Sequence, residues 1–317
     1  MANDHRLSSP SVPVLITWDV DPDTWVAPAK RRLALERAIA VCAAHNIPAT
    51  FFFTASAADV YRGDFNALAA QGHEIGCHGL THGSEEDYDR MPEAMQRDYL
   101  TRATDHLQNL TGTPMRVFRS PRVKTSAITL RLLAELGYLS DSSVCSQRAD
   151  VVSSNLVNIG WLLAPRRPYR PHPDNPFRRG DVPLWEVPVS AAILPFISST
   201  MGVLGFPAMK FLFNLLYAES KVTGKPIVYL MHPTEFLSRA DAGSRKRWKQ
   251  ALNPRHFSPT HLRTHGLAVR HLFRPSDGGE LYRRTDRLFA HMASFPAVRF
   301  MTLGQYVAKY LENGHAG

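Results

Sequence analysis

Four short polar clusters interrupt apolar runs along the chain: Asp19-Val-Asp21, His78-Gly-Leu-Thr-His82, Arg119-Ser-Pro-Arg122 and Met231-His-Pro233. Their residue types suit metal-assisted hydrolysis of an amide. Carboxylate and imidazole can hold a divalent ion, a second carboxylate can take a proton from water, a guanidinium can balance charge, and a further imidazole can protonate a leaving group. Asp19 and Asp21 are two apart, so at the end of a strand both point to one face. Two carboxylates that close need a cation, a shared proton or an arginine between them. The pair also reads as an Asp-rich turn, with Pro22 and Asp23 following.

His78 and His82 are four apart, a spacing that on a helical turn projects both imidazoles to one side at the separation a metal requires. His261 and His265 repeat the spacing, but they sit with His256 and His271 in a basic segment without a strand-end carboxylate nearby, and they read as solvated. One Asp and two His make three protein ligands, which leaves a coordination position for water, as catalytic sites do. Zinc is the expected ion, and cobalt, nickel, manganese or iron suit the same N/O set.

The elements that must position these groups are visible as alternating periods. Strand-like runs cover Val12 to Val20, Ala49 to Thr54, Glu74 to Cys77, Met115 to Arg119, Tyr138 to Val144, Leu184 to Ser190, Ile227 to Met231 and Val298 to Met301. Helical periodicity falls between them, over Ala29 to Asn46, Phe65 to Gln71, Pro92 to Leu110, Ser126 to Leu136 and Leu303 to Leu311. Repeated βα units of this kind form a parallel sheet with a single core. The chain has 317 residues, 44% of them hydrophobic, enough for one α/β barrel of roughly 250 residues with additions. We expect one catalytic domain over residues 12–312, a polar N-terminal tail over 1–11, a basic proline-rich insertion over 146–183 and an apolar stretch over 191–217. Six prolines between Pro165 and Pro183 forbid a long helix or central strand in the insertion. Pro195, Gly202, Gly205, Pro207 and Lys210 make the apolar stretch look too broken to span a membrane, leaving a core helix with its lead-in or a flap lying on a bilayer.

A formal charge of +9 suits an anionic partner. No helix-turn-helix, zinc finger or RNA-binding strand motif accompanies it, so nucleic acid is set aside in favour of membrane phosphates or a phosphorylated substrate. The first dozen residues lack an apolar core behind a basic start, and three widely spaced cysteines do not make a disulfide framework; a cytoplasmic location is the expectation.

In this order and context the four clusters resemble the polysaccharide deacetylase family, the NodB-homology carbohydrate esterases, over roughly Val14 to Glu235. Ala49-Thr-Phe-Phe-Phe53 and Asp141-Ser-Ser143 are similar to further family features. The resemblance implies a distorted, incomplete (β/α) barrel, usually of seven strands. It implies Asp21, His78 and His82 as metal ligands, Asp19 as general base, Arg119 as its charge partner and His232 as general acid. The chain departs from the family pattern in three places. Val20 separates the aspartates, a form similar to the branch that holds peptidoglycan deacetylases, allantoinase-like amidohydrolases and a lipid-linked aminoarabinose deformylase. Arg122 stands where many relatives carry an aromatic, and with Trp25 it is a candidate for substrate contact. Pro233 follows His232, whose acidic partner is open between Glu186 and Asp141.

The leading expectation is a metal-dependent hydrolase that removes an acetyl or formyl group from an amino sugar, lipid- or nucleotide-linked, with peripheral contact to anionic membrane. The alternatives are an amidohydrolase acting on a small amide or cyclic ureide, and a non-catalytic carbohydrate- or lipid-binding protein on the same scaffold.

Overall fold

The computed structural model of the protein describes residues 11–147, 160–237 and 278–312. The strands, in chain order, are β1 Val12–Val20, β2 Ala49–Phe53, β3 Glu74–Cys77, β4 Val117–Phe118, β5 Ser140–Asp141, β6 Pro171–His172, β7 Asn175–Arg179, β8 Trp185–Glu186, β9 Ala191–Ala192, β10 Leu194–Pro195, β11 Ile227–Met231 and β12 Val298–Phe300. Seven of them run β11-β1-β2-β3-β4-β5-β8 in one sheet, and β12 pairs with the start of β1. Every pairing in that sheet is parallel. The sheet curls into an incomplete barrel. Across the gap between its two ends, the segment after β8 reaches β11 through Ser190 N–H to the Val228 carbonyl at 3.1 Å and an isolated bridge between Ile197 and Leu230.

Strand parity explains where the polar residues go. Along β1, Val12, Val14, Ile16, Trp18 and Val20 pack outward under the helices, whereas Leu15 joins the cluster inside the barrel. Thr17, Asp19 and Asp21 share Leu15's parity and therefore face the interior. The same rule sends Tyr229 and Met231 outward but Val228 and Leu230 inward, so His232 follows them. Phe52 lies inside between outward Phe51 and Phe53, at a place where a Cβ on Gly76 would meet its ring at 2.6 Å.

The helices are α1 Pro28–Ala43, α2 Ala55–Ala58, α3 Phe65–Ala70, α4 Glu93–Thr111, α5 Ala127–Glu135, α6 Gly160–Leu163, α7 Ser198–Thr223, α8 Gly278–Ala293 and α9 Leu303–Tyr306. Within the basic insertion, where 148–159 lie outside the described residues, the short α6 and an antiparallel pair β6-β7 off the main sheet supply local order without a long helix or a central strand. The apolar stretch is also more regular than expected. After the β9-β10 hairpin it becomes α7, 26 residues long, apolar enough by length and composition to cross a membrane, and a third of its most apolar window is buried. Gly205, at φ 78 and ψ −178, breaks the helix, and Pro207 falls in the turn that restarts it, where its missing N–H costs nothing. The inner side of α7 packs on α8 and β11, so it is a barrel helix and not a loose flap.

Candidate active site

The interior-facing residues at the C-terminal ends of β1, β3, β4 and β11 meet at one end of the barrel. His78 Nε2 lies 3.4 Å and His82 Nε2 3.5 Å from Asp21 Oδ1. One ligand atom from each of the three falls within 4.8 Å of the others, a set able to hold a metal ion. His78 Nδ1 donates to the Arg119 carbonyl at 2.7 Å, which fixes the tautomer and turns the Nε2 lone pair toward Asp21. Asp21 Oδ1 is buried and has no hydrogen-bond partner, as a carboxylate oxygen awaiting a cation would be. Burial, opposed by the pull of Asp21, holds His82 below the usual imidazole range, which favours a ring with a lone pair for a cation. Burial also opposes the charged form of Asp21, yet His82, His78 and His232 hold its carboxyl well below the ordinary range.

The two histidines do not share a helical turn. They lie in a loop whose Gly79 and His82 adopt positive φ, 76 and 57. Glu86 holds that loop: its Oε1 accepts from Leu80 N–H at 2.7 Å and from the Tyr88 hydroxyl at 2.8 Å, and its Oε2 accepts from the N–H groups of Thr81 and His82 at 2.6 and 2.7 Å. A Cβ on Gly79 would lie 2.5 Å from Glu86 Oε1, which explains the glycine after His78. His261 and His265, the other pair with this spacing, lie outside the described residues.

Asp19 stands beside the trio, with Oδ2 3.9 Å from His78 Nε2. Its Oδ1 accepts from Arg119 Nη1 at 2.9 Å. Arg119 is fully buried and donates also to Thr17 Oγ1 (2.8 Å), the Ser142 carbonyl (2.8 Å) and Ser142 Oγ (2.9 Å), with its guanidinium 4.5 Å from the Phe52 ring centroid. His232 Nε2 is 3.9 Å from Asp21 Oδ2. The carboxylate beside its Nδ1 belongs to Glu235, 3.7 Å away, and not to Asp141 or Glu186. The short 3-10 turn Pro233–Phe236 begins after His232 and folds the residue three positions on back against the ring.

Arg122, expected to meet a substrate anion, is committed to the protein instead. It binds Asp87 through Nε and Nη2 at 2.9 and 2.6 Å and donates to the carbonyls of His82, Gly83 and Glu86, tying down the histidine loop. Trp25 is 47% exposed in the loop after the aspartates.

Asp141 and Glu186 form a separate buried carboxyl pair on neighbouring strands. Burial raises Asp141 to about 6, and burial together with the Asp141 charge raises Glu186 well above its usual range. Glu186 therefore keeps the pair's proton. A carboxyl raised on folding contributes stability that is full below the ordinary carboxylate range and is lost as pH rises through about 6. For Asp141 the rise corresponds to about 3 kcal/mol between pH 4 and pH 8. Asp141→Asn, which removes the titrating carboxyl and the charge that helps to raise Glu186, is expected to flatten that loss in urea unfolding; an unchanged pH profile would place its origin elsewhere.

Comparison with known proteins agrees with this geometry. The polysaccharide deacetylase family model matches residues 8–140. That stretch includes Asp19, Asp21, His78, His82 and Arg119 but stops short of the Val14 to Glu235 span traced by the clusters, so His232 rests on the structure. No curated protein matches the sequence. Among solved structures, proteins bearing the family's name from Mycobacterium smegmatis and Pseudomonas aeruginosa PAO1 align at TM-scores of 0.63 and 0.60, with 18% and 16% identity, covering 99% and 98% of this chain and 95% of each of theirs. Puue allantoinase aligns at 0.61 with 17% identity over 98% of this chain and 95% of its own. Identities this low speak for the fold, an incomplete parallel (β/α) barrel. The family resemblance drawn from the four clusters agrees with the family model over residues 8–140, and the expected incomplete barrel agrees with the fold of these structures.

Proposed function

We propose that the protein is a metal-dependent hydrolase that removes an acetyl or formyl group from the nitrogen of an amino sugar, lipid- or nucleotide-linked. The convergence of Asp21, His78 and His82 beside the Asp19–Arg119 pair carries this reading. A divalent ion held by those three residues, most simply zinc, supplies a Lewis acid for the acyl carbonyl and acidifies a water. Asp19 is the general base: Arg119 holds its Oδ1, which leaves Oδ2 to accept the water proton. His232, on the other side of Asp21, delivers a proton to the departing nitrogen, and an amine protonated on leaving does not re-form the amide. Glu235 lies where it can keep the His232 ring oriented. The three cysteines, all buried free thiols, suit a reducing compartment such as the cytoplasm.

The test is amine release from a panel of N-acetyl and N-formyl amino sugars, free and linked, before and after chelation. Turnover that chelator abolishes and added divalent ion restores is expected. No chelator-sensitive turnover across the panel would overturn the reading. Separation of the aspartates by Val20 favours one other class, small amides and cyclic ureides, which belong on the same panel.

A further inference from the structure

We propose that the outer face of α7, together with the tip of the β9-β10 hairpin, docks on an anionic lipid bilayer. The proposal is independent of the chemistry assigned to the site. The outward side of the restarted helix carries Pro207, Phe211, Leu215, Ala218 and Val222, spaced by three or four residues, so they form one stripe. Phe211 is 65% exposed and Val222 86%. Val203 and Leu204 continue the exposure toward the N-terminal end of α7, and that end adjoins the mouth of the barrel, because Ile197 bridges Leu230 two residues before His232.

The hairpin tip is an independent sign. Ile193 is 74% exposed and adopts φ 67, a conformation that a β-branched side chain occupies only under strain. Glycine or asparagine would fit that turn at lower cost, and a polar residue would suit its exposure, so the isoleucine serves a contact outside the described chain. Leu194, also exposed, stands beside it.

Charge decides between a bilayer and a second protein surface. Together α7 and α8 carry five Lys or Arg against three carboxylates. Each carboxylate is already paired: Glu219 with Arg166 and Lys225, Glu280 with Arg283 and Arg284, Asp286 with His45. Lys210 borders the stripe, and Arg287 packs 4.3 Å from the Phe206 ring centroid. An apolar stripe edged by cations matches an interface with anionic headgroups above acyl chains.

The full chain is mixed with vesicles of phosphatidylcholine alone or with phosphatidylglycerol at about one third of the lipid, and bound protein is measured by sedimentation. Binding to the anionic vesicles, released as ionic strength rises, is expected. The double variant Phe211→Asp, Leu215→Asp is expected to lower the bound fraction at least tenfold. Ile193→Gly guards against misfolding, because it removes backbone strain: it should lower binding while thermal stability is kept or raised. Parent protein that ignores anionic vesicles, or variants that bind as the parent does, would overturn the proposal. So would a lipid-free dimer that the double variant dissociates, which would assign the face to a second copy of the chain.

Discussion

Asp19→Asn is expected to lower the rate of amine release by about 10²–10⁴-fold, the range of one general base, while the content of bound divalent ion, measured by elemental analysis, stays at the parental level. The two readouts separate because Asp19 faces Arg119 and His78, whereas Asp21 lies between the two imidazoles. The substituted amide keeps the shape and one oxygen for Arg119 but has no basic oxygen for a water proton. Loss of the metal along with activity would make Asp19 a ligand. A variant that turns over as fast as the parent would remove it from the proton transfer. A binding protein without catalysis has no rate to lose, so the same experiment decides against that alternative.

Arg119→Met is expected to be the most damaging single change to stability, about 3–5 kcal/mol in urea unfolding of the chelated protein, the range for removing one partner of a buried ion pair. Methionine fills comparable volume over Phe52, but it strands the Asp19 carboxylate and leaves the Thr17 hydroxyl and the Ser142 carbonyl and hydroxyl without their donor. The origin of the loss is testable through coupling. Asp19→Asn keeps an acceptor for Arg119 but leaves its buried charge unbalanced, so it should also destabilise alone; added to Arg119→Met it should recover about 2 kcal/mol, since it removes the stranded carboxylate. Strict additivity of the two changes would show that the guanidinium acts through packing alone.

Much of this site is legible in residue order because strand parity is a strong constraint. Glu74–Cys77 and Ile227–Met231 are the bounds expected of them, since continuous burial leaves few ways to place their ends. The strands leading to Ser140–Asp141 and Trp185–Glu186 are shorter than their apolar runs. Past those residues, backbone donors turn to other acceptors, as when Val144 N–H finds Glu186 Oε1, and the ladder ends although the burial continues. The loop between His78 and His82 escapes a reading by spacing, which cannot tell a helical turn from a loop wrapped around a carboxylate. Nothing in Gly83-Ser-Glu-Glu86 marks the second glutamate as the clamp. Glu235 does leave a signal: a proline opening a turn after His232 brings the third residue onward back to the ring. Arg122 escapes too, because a guanidinium looks alike in sequence whether it awaits an anion or braces three carbonyls.

His82 and His232 are 150 positions apart, although both imidazoles face Asp21. At ordinary ribosomal speeds of about 5–20 residues per second, roughly 7–30 s of translation separate them. For that interval the nascent chain already contains Asp21 and the two histidines proposed as ligands, in the segments after β1 and β3, while β11, which leads to His232, is still unmade. An ion captured early by the proposed ligands would be seated before the proposed proton donor arrives. Synthesis would then proceed in order, loading first and the proposed chemical competence last.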